Sequence, residues 1–177
     1  SPELEDFSND IANKEGLSHI SIYYRDLNNG PVTNINANES FAPASLLKIP
    51  IMISYLKWSE DRPEVMDEKI KYEKEVNVGY VQEFAPTIPL EVGKTYTARE
   101  LLESMIKYSD NQALVLLYQR LPIFYQQDLY SLAGVDTNIM TDPKSSLTIK
   151  QYSIFLRILF NASFLSNSNS EYALKLL

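Results

Sequence analysis

The alternation of apolar and polar positions predicts a short helix and a β-hairpin at the start of the chain. Apolar residues recur at helical spacing over residues 3–14, and Gly16 ends that predicted helix. Residues 18–26 are rich in β-forming side chains, and residues 32–36 repeat the pattern. Between them, Leu-Asn-Asn-Gly-Pro over residues 27–31 is a turn signal, so the two segments are predicted to pair.

A strongly apolar segment follows and predicts the central helix of the fold. Residues 45–58 carry apolar side chains on every face of a helix, which is typical of a helix buried all round. Pro50 falls in its first turns, where the pattern leaves two outcomes, a tolerated proline or a slight kink. Residues 60–96 show little regular pattern and are predicted to wrap the core or to border a site.

Capping signals predict the remaining helices. Capping boxes begin at Thr97, Thr148 and Ser168. Together with apolar spacing they predict helices over the following ranges: 97–107, 109–120, 123–132, 148–160 and 168–177. Two strands are too few for a sheet with its own buried face. The pattern is therefore that of the front portion of an α/β domain whose remaining strands are absent from this chain.

Composition and charge narrow the class of protein. The chain has 177 residues, 45% hydrophobic and 22% charged, which suits one globular domain or a large piece of one. A net charge of −7 without a Lys/Arg cluster disfavours a nucleic-acid partner. With no cysteine and one histidine, no metal or other cofactor is expected. A Ser-His-Asp triad would have to use His19, which lies in a predicted strand, so another residue is the expected base of any hydrolase.

Ser45 and Lys48 form a Ser-x-x-Lys pair at the junction between a loop and the central helix. The spacing places both side chains on one helical face. A serine hydroxyl is a poor nucleophile unless a base takes its proton, and an amine serves when desolvation lowers its pKa. A buried helix start supplies that desolvation, and its backbone N–H groups can face a developing oxyanion. The pair is therefore a candidate nucleophile and base.

The Ser-x-x-Lys pattern alone is weak, because it occurs three times: Ser45/Lys48, Ser54/Lys57 and Ser104/Lys107. Ser54 lies deep in a predicted helix, where its hydroxyl is expected to bond back to the preceding turn. Ser104 also lies within a predicted helix, away from free backbone N–H groups. The alternative for the first pair is that Ser45 is an N-cap and Lys48 a solvated helix lysine.

Ser109-Asp110-Asn111 occurs once and begins another predicted helix. On its own it is explained by helix capping, with Asp110 as the expected cap. Yet a Ser-x-x-Lys pair at a helix start, followed by Ser-Asp-Asn, is the combination found in class A β-lactamases and penicillin-binding proteins. The two motifs together favour a catalytic interpretation of both.

The chain resembles the serine β-lactamase and penicillin-binding-protein superfamily, most closely its class A β-lactamase-like branch. The resemblance runs through the hairpin, residues 41–50 and residues 96–113. It implies a β-lactamase/DD-peptidase-like α/β (α+β) fold. In that fold, residues 1–177 form an incomplete domain, with residues 1–43 in the α/β part and residues 44–177 in the mostly helical part.

The same resemblance assigns roles to four residues. It implies that Ser45 is acylated, that Lys48 is the base or proton relay, that Ser109 passes a proton to the leaving nitrogen and that Asn111 holds the substrate amide. It implies no metal ion. Tyr80, in the irregular region, is a further candidate for the border of the site.

Two departures from the family pattern limit the expected activity. The third motif, Lys-Thr/Ser-Gly on a later strand, has no counterpart, since Gly93-Lys94-Thr95 has the wrong order and is better explained as an exposed turn. The missing strands are therefore expected from a companion segment or an exchanged chain. Residues 134–148 also lack the glutamate that activates the deacylating water, and Asp136 and Asp142 are their only carboxylates. Asp142-Pro143 favours a turn, so an acyl-enzyme is expected to persist.

The sequence thus predicts a serine acyl-transfer hydrolase with slow deacylation. Its expected substrates are β-lactams or peptidoglycan-like D-amino-acid peptide amides, and its expected location is extracytoplasmic. Two alternatives stay open: a non-catalytic binding module that keeps the scaffold, and a fragment that is inactive alone. The exact substrate and the oligomeric state are not specified by the sequence.

Overall fold

The computed structural model describes residues 2–28, 30–76, 85–140, 142 and 144–177. Their helices are α1 (Pro2–Glu15), α2 (Lys48–Asp61), α3 (Ala98–Lys107), α4 (Asn111–Tyr118), α5 (Ile123–Ala133), α6 (Ile149–Phe160) and α7 (Asn167–Leu176). Their strands are β1 (Ile22–Arg25), β2 (Val32–Ile35), β3 (Ser40–Phe41), β4 (Lys69–Lys71), β5 (Thr95–Thr97) and β6 (Leu147–Thr148). The architecture is mixed α/β and mostly helical, as predicted. Tyr80 lies outside the described residues.

The strands form three separate antiparallel pairs within the described ranges. The predicted hairpin is confirmed as β1–β2, with Ile22 opposite Ile35. The other two pairs, β3–β6 and β4–β5, were missed by the sequence analysis. Each of their strands has only two or three residues, and the partners lie far apart in the chain, so no local alternation signals them.

Helix α2 is the centre of the core. Its residues 51–53 and Leu56 are almost fully buried, and it contacts α3, α4, α5 and α7. Burial of one such aliphatic side chain contributes roughly 1.5–3 kcal/mol, so this helix anchors the elements around it. Pro50 is the third residue of α2, where its missing N–H breaks no intrahelical bond, and it is therefore tolerated.

The predicted caps are confirmed at three helices and displaced at one. Thr97 and Thr148 each form a complete capping box, and Asp110 caps α4. The prediction for the last helix is wrong, because α7 is capped by Ser166 rather than Ser168. The backbone N–H of Ser166 donates to a Glu60 carboxylate oxygen at 2.6 Å, and this bond to α2 fixes the earlier start.

The start of the central helix also differs from the prediction. Residues Ala44–Leu47 form a 3₁₀ turn, and the α-helix begins only at Lys48 and runs to Asp61. Ala44 has a φ of 44°, in the left-handed region that non-glycine residues rarely adopt. The N-cap alternative for Ser45 is wrong, because Pro43 precedes the 3₁₀ turn and Leu47 precedes α2 as the capping residues.

The backbone of Ala44 provides a stability test. The substitution Ala44→Gly removes a Cβ that disfavours positive φ, so we expect it to raise the free energy of unfolding by about 1 kcal/mol. Ala42→Gly is the matched control, since Ala42 has no positive φ and should lose about 0.5–1 kcal/mol. Urea unfolding of both variants measures the difference, and equal losses in the two would contradict the assignment of strain to Ala44.

Candidate active site

Three of the residues singled out by the sequence meet at one point. The Lys48 amine lies 3.3 Å from the Ser45 hydroxyl and donates to the Ser109 hydroxyl at 2.8 Å and to the Ser109 carbonyl at 2.6 Å. The Ser109 hydroxyl in turn donates to the Ser45 hydroxyl at 3.2 Å. The residues come from the start of α2 and from the turn between α3 and α4, which are 61 residues apart in the chain. Two motifs that are distant in sequence therefore form one hydrogen-bonded cluster.

The 3₁₀ turn explains why a spacing of three brings Ser45 and Lys48 together. The backbone N–H of Lys48 donates to the carbonyl of Ser45, which is the 3₁₀ bond between residues three apart. In this geometry the side chains at i and i+3 eclipse each other. The amine is thereby directed along the same face as the hydroxyl, rather than being offset around an α-helix.

Burial shapes the chemistry of Lys48. The residue is only 3% exposed, and desolvation lowers the pKa of its amine from 10.5 to about 8, against the opposing effect of the Asp110 carboxylate. An amine with that pKa is neutral in roughly one molecule in ten at pH 7. The alternative of a solvated helix lysine is therefore wrong, and Lys48 can accept a proton at neutral pH.

The turn that carries Ser109 has an unusual backbone. Ser109 has a φ of 54°, which turns its carbonyl and its side chain to the same amine. The next residue, Asp110, is 1% exposed and accepts from the backbone N–H groups of Gln112 and Ala113 at 2.7 and 2.9 Å. As predicted, Asp110 caps the helix, and the Ser109 side chain faces Lys48 instead.

Asn111 is the first residue of α4 and lies next to this turn. It is 3% exposed, and its side-chain oxygen has no hydrogen-bond partner in the described part of the chain. A buried amide oxygen without a partner costs roughly 1–3 kcal/mol. Asn111 is not among the residues that line the cavity at the cluster, so the structure places it behind the Ser109 turn rather than with Ser45, Lys48 and Ser109.

The two other Ser-x-x-Lys pairs form no such cluster. The Ser54 hydroxyl donates to the carbonyl of Pro50 at 2.9 Å, as the sequence analysis expected. The Ser104 hydroxyl is buried within α3 and has no partner among the described residues. Lys57 and Lys107 pair with Glu60 and Glu103. Both lysines are thus held in ion pairs on helix surfaces, unlike Lys48, so the three pairs differ in their surroundings although they share one pattern.

Several other candidates have structural roles. His19 lies outside β1 and is exposed, with Nδ1 3.7 Å from a Glu39 oxygen. Lys94 follows Gly93 in an exposed turn and pairs with Glu91 at 2.6 Å. The Gly-Lys-Thr run is thus a turn that leads into β5, as predicted.

The two carboxylates of residues 134–148 stabilise turns. The Asp136 side chain accepts from the backbone N–H of Asn138 at 2.9 Å, and the Asp142 side chain accepts from that of Lys144 at 2.9 Å. Both are Asx turns, in which the carboxylate stabilises its own loop.

A cavity of about 170 Å³ opens onto the cluster. Its walls include Ser45, Lys48, Ser109 and Tyr152 of α6. Tyr152 and Leu46 separate it from a second, largely apolar cavity of about 290 Å³ between the loop at residues 41–43 and α6. No motif in the sequence signals Tyr152, because only the tertiary packing of α6 brings it to the cavity.

Comparison with known proteins identifies the family. A sequence model of the beta-lactamase enzyme family matches residues 3–177. The chain belongs to this family. No curated protein matches it.

Solved structures share the beta-lactamase fold with the chain. A variant of the last common ancestor of Gram-negative class A beta-lactamases is 22% identical, with a TM-score of 0.80 over 99% of this chain and 69% of that one. A beta-lactamase from Chitinophaga pinensis is 19% identical, with a TM-score of 0.77 over 97% and 68%. PBP-A is 19% identical, with a TM-score of 0.72 over 88% and 60%. The chain thus spans about two thirds of the length of these beta-lactamase-fold proteins.

The described part of this beta-lactamase-family chain contains neither a metal-binding cluster nor a membrane-spanning helix. Within the described ranges, no group of three acidic, histidine or cysteine side chains is arranged to hold a metal ion. No helix in those ranges has both the length and the apolar character needed to cross a membrane.

The lowered pKa of Lys48 predicts a specific pH dependence of stability. The folded pKa is about 8 and the ordinary value is 10.5, so the unfolded chain binds more protons between these pH values. The stability of the wild type relative to Lys48→Met should therefore be constant below pH 8 and rise above it, by at most about 3 kcal/mol in total. Urea titrations of both proteins from pH 6.5 to 9.5 test this. A difference that is flat across this range would contradict a depressed pKa.

Proposed function

We propose that the protein is a serine acyl-transfer hydrolase that forms an acyl-enzyme at Ser45. The observation that supports this most is the buried Lys48 amine in contact with both the Ser45 and the Ser109 hydroxyls. Its lowered pKa leaves a fraction of the amine neutral at physiological pH, and this neutral form is what a base for a serine nucleophile requires. The substrates in this proposal are β-lactams or D-amino-acid peptide amides.

The acylation step follows from the hydrogen bonds of the cluster. The neutral Lys48 amine takes the Ser45 proton as the oxygen attacks the substrate carbonyl, and a tetrahedral oxyanion forms. The peptide dipoles at the start of α2 favour that negative charge. As the carbon–nitrogen bond breaks, Ser109 gives its proton to the leaving nitrogen and recovers one from the Lys48 ammonium, 2.8 Å away. The role of the Asn111 amide in holding the substrate is supported by the resemblance to the family alone.

Release of the acyl group is expected to be slow. Deacylation requires a base beside the ester to activate water. Residues 134–148 contain no glutamate, and the Asp136 and Asp142 carboxylates accept bonds from their own turns. A mutant of PBP-A, which shares the fold, has been seen as an acyl-enzyme with penicillin G. We therefore propose penicillin-binding behaviour rather than efficient β-lactam hydrolysis, and an extracytoplasmic location where such substrates occur.

A second candidate is that the chain is inactive by itself and needs further strands. Its strands are confined to two-stranded pairs in the described residues, and such pairs are marginally stable alone. The large apolar cavity and the exposed Phe41 and Leu46 beside it also lack a covering element within those residues. In this candidate, a companion segment or an exchanged chain completes the sheet. A separate alternative is that the chain is a binding module without turnover.

Covalent labelling tests the first proposal. A fluorescent penicillin should add to Ser45 in the full product of the gene, and intact-mass and peptide mass spectrometry locate the adduct. Ser45→Ala should abolish labelling, and Lys48→Met should slow it by at least about 100-fold, since a general base contributes on that order. Ser54→Ala and Ser104→Ala are the matched controls and should label like the wild type. An unlabelled Ser45 in a folded, full-length protein would refute the proposal.

The second candidate predicts a difference between the 177-residue chain and the full gene product. If companion strands are needed, the chain alone should label at least tenfold more slowly or should associate in solution. Light scattering over a range of concentrations, run beside the labelling assay, measures both. Equal labelling by a monomeric chain and by the full product would rule out a required companion. Binding of cell-wall fragments that survives Ser45→Ala, without turnover, would instead favour a binding module.

A further inference from the structure

The side chain of Gln112 lies directly after the Ser109–Asn111 turn and holds a distant stretch of backbone. Its amide oxygen accepts from the N–H of Val76 at 2.8 Å, and its amide nitrogen donates to the Val76 carbonyl at 2.9 Å. Both backbone groups of one residue are thereby satisfied by one side chain, as a neighbouring strand would do. The two contacts are partly buried, which protects them from competition by water.

The backbone that Gln112 holds continues from β4. Tyr72 lies just after that strand. Its backbone carbonyl accepts from the N–H of Gly93 at 2.7 Å, and its backbone N–H donates to the carbonyl of Lys94 at 2.9 Å. Residues 69–76 are therefore fixed at one end by β5 and its preceding turn, and at the other end by Gln112. The Tyr72 side chain is fully buried, and the pKa of its phenol is raised first by this burial and then by the Glu75 and Asp110 charges. This segment thus lies close to the turn that bears Ser109.

Gln112 connects this segment to the reacting groups through a short chain of contacts. Its own backbone N–H donates to the Asp110 carboxylate at 2.7 Å, while its side chain holds Val76. Ser109 immediately precedes Asp110, and its left-handed backbone directs two oxygens at Lys48. A shift of the first turn of α4 would move both oxygens away from the amine.

We propose that Gln112 is a positioning residue, whose amide fixes the first turn of α4 against residue 76 and so sets the distance between Ser109 and Lys48. It touches neither nucleophile nor base in this proposal, and it acts through Asp110 and Ser109. The inference rests on the proposed function, because its effect is read in the acylation of Ser45.

The decisive variant is Gln112→Met, which keeps the length of the side chain and removes both hydrogen bonds. Gln119→Met is the matched control, because Gln119 is an exposed glutamine at the other end of the same helix. Gln112→Glu keeps the acceptor for the Val76 N–H but sets a carboxylate oxygen against the Val76 carbonyl, so an effect at least as large as that of Gln112→Met is expected. Circular dichroism melting establishes that each variant is folded.

The readouts are the first-order acylation rate constant, the dissociation constant of penicillin before acylation, and hydrogen exchange at the Val76 amide. Gln112→Met should speed exchange at Val76 and slow acylation by about ten- to a hundred-fold, as a misplacement of about 1 Å does. The dissociation constant should stay within twofold, and Gln119→Met should match the wild type in all three measurements. Faster exchange with unchanged acylation would reduce Gln112 to a structural role. Unchanged exchange would show that the contact is not made.

Failure of the proposed function remains distinguishable from failure of this inference. If the wild type itself is not acylated, the proposed function fails. The Lys48 pKa, measured by nuclear magnetic resonance of labelled lysine, then reports on positioning. Gln112→Met should raise that pKa towards 10.5, because a displaced turn lets water reach the amine. An unchanged pKa in the variant would overturn the inference on its own.

Discussion

The desolvation of one lysine is the constraint on which the site depends. A buried amine is costly to keep charged, and the chain tolerates Lys48 because three oxygens surround it, two of them from Ser109. This arrangement requires α2 to be buried on all sides and the turn between α3 and α4 to lie against its start. The helical core therefore does more than stabilise the fold, since it supplies the low-polarity environment that lowers the pKa of the amine and leaves a fraction of it uncharged near pH 7.

Under the proposed function, acylation and release of the acyl group depend on different parts of the structure. The groups that would form an acyl-enzyme are assembled and hydrogen-bonded, whereas the Asp136 and Asp142 carboxylates accept hydrogen bonds from their own loops. Under the proposed function, a site of this kind favours capture of a substrate over its turnover. Membership of the beta-lactamase family is compatible with either outcome, because the fold alone does not determine the fate of the acyl group.

Much of the fold could be predicted from sequence because its signals are local. The capping boxes at Thr97 and Thr148 and the apolar run of α2 each reside in one short segment. The paired strands β3–β6 and β4–β5 could not be predicted, since their partners meet only after the chain has folded. The predicted start of α7 was wrong for a similar reason, because a tertiary hydrogen bond from the Ser166 N–H to Glu60 fixes an earlier start. In the site, Ser45, Lys48 and Ser109 were found from their motifs, whereas Tyr152 and Gln112 carry no motif and are recognised only by their contacts.

The 3₁₀ turn at residues 44–47 also has a consequence for how the sequence can vary. In an α-helix, residues three and four apart are comparable neighbours, so a spacing of four would serve nearly as well. In a 3₁₀ turn only the residue three positions on is eclipsed. The interval between serine and lysine is therefore set by local helix geometry as well as by chemistry. An insertion of one residue here would rotate the base away from the nucleophile while leaving the composition of the site unchanged.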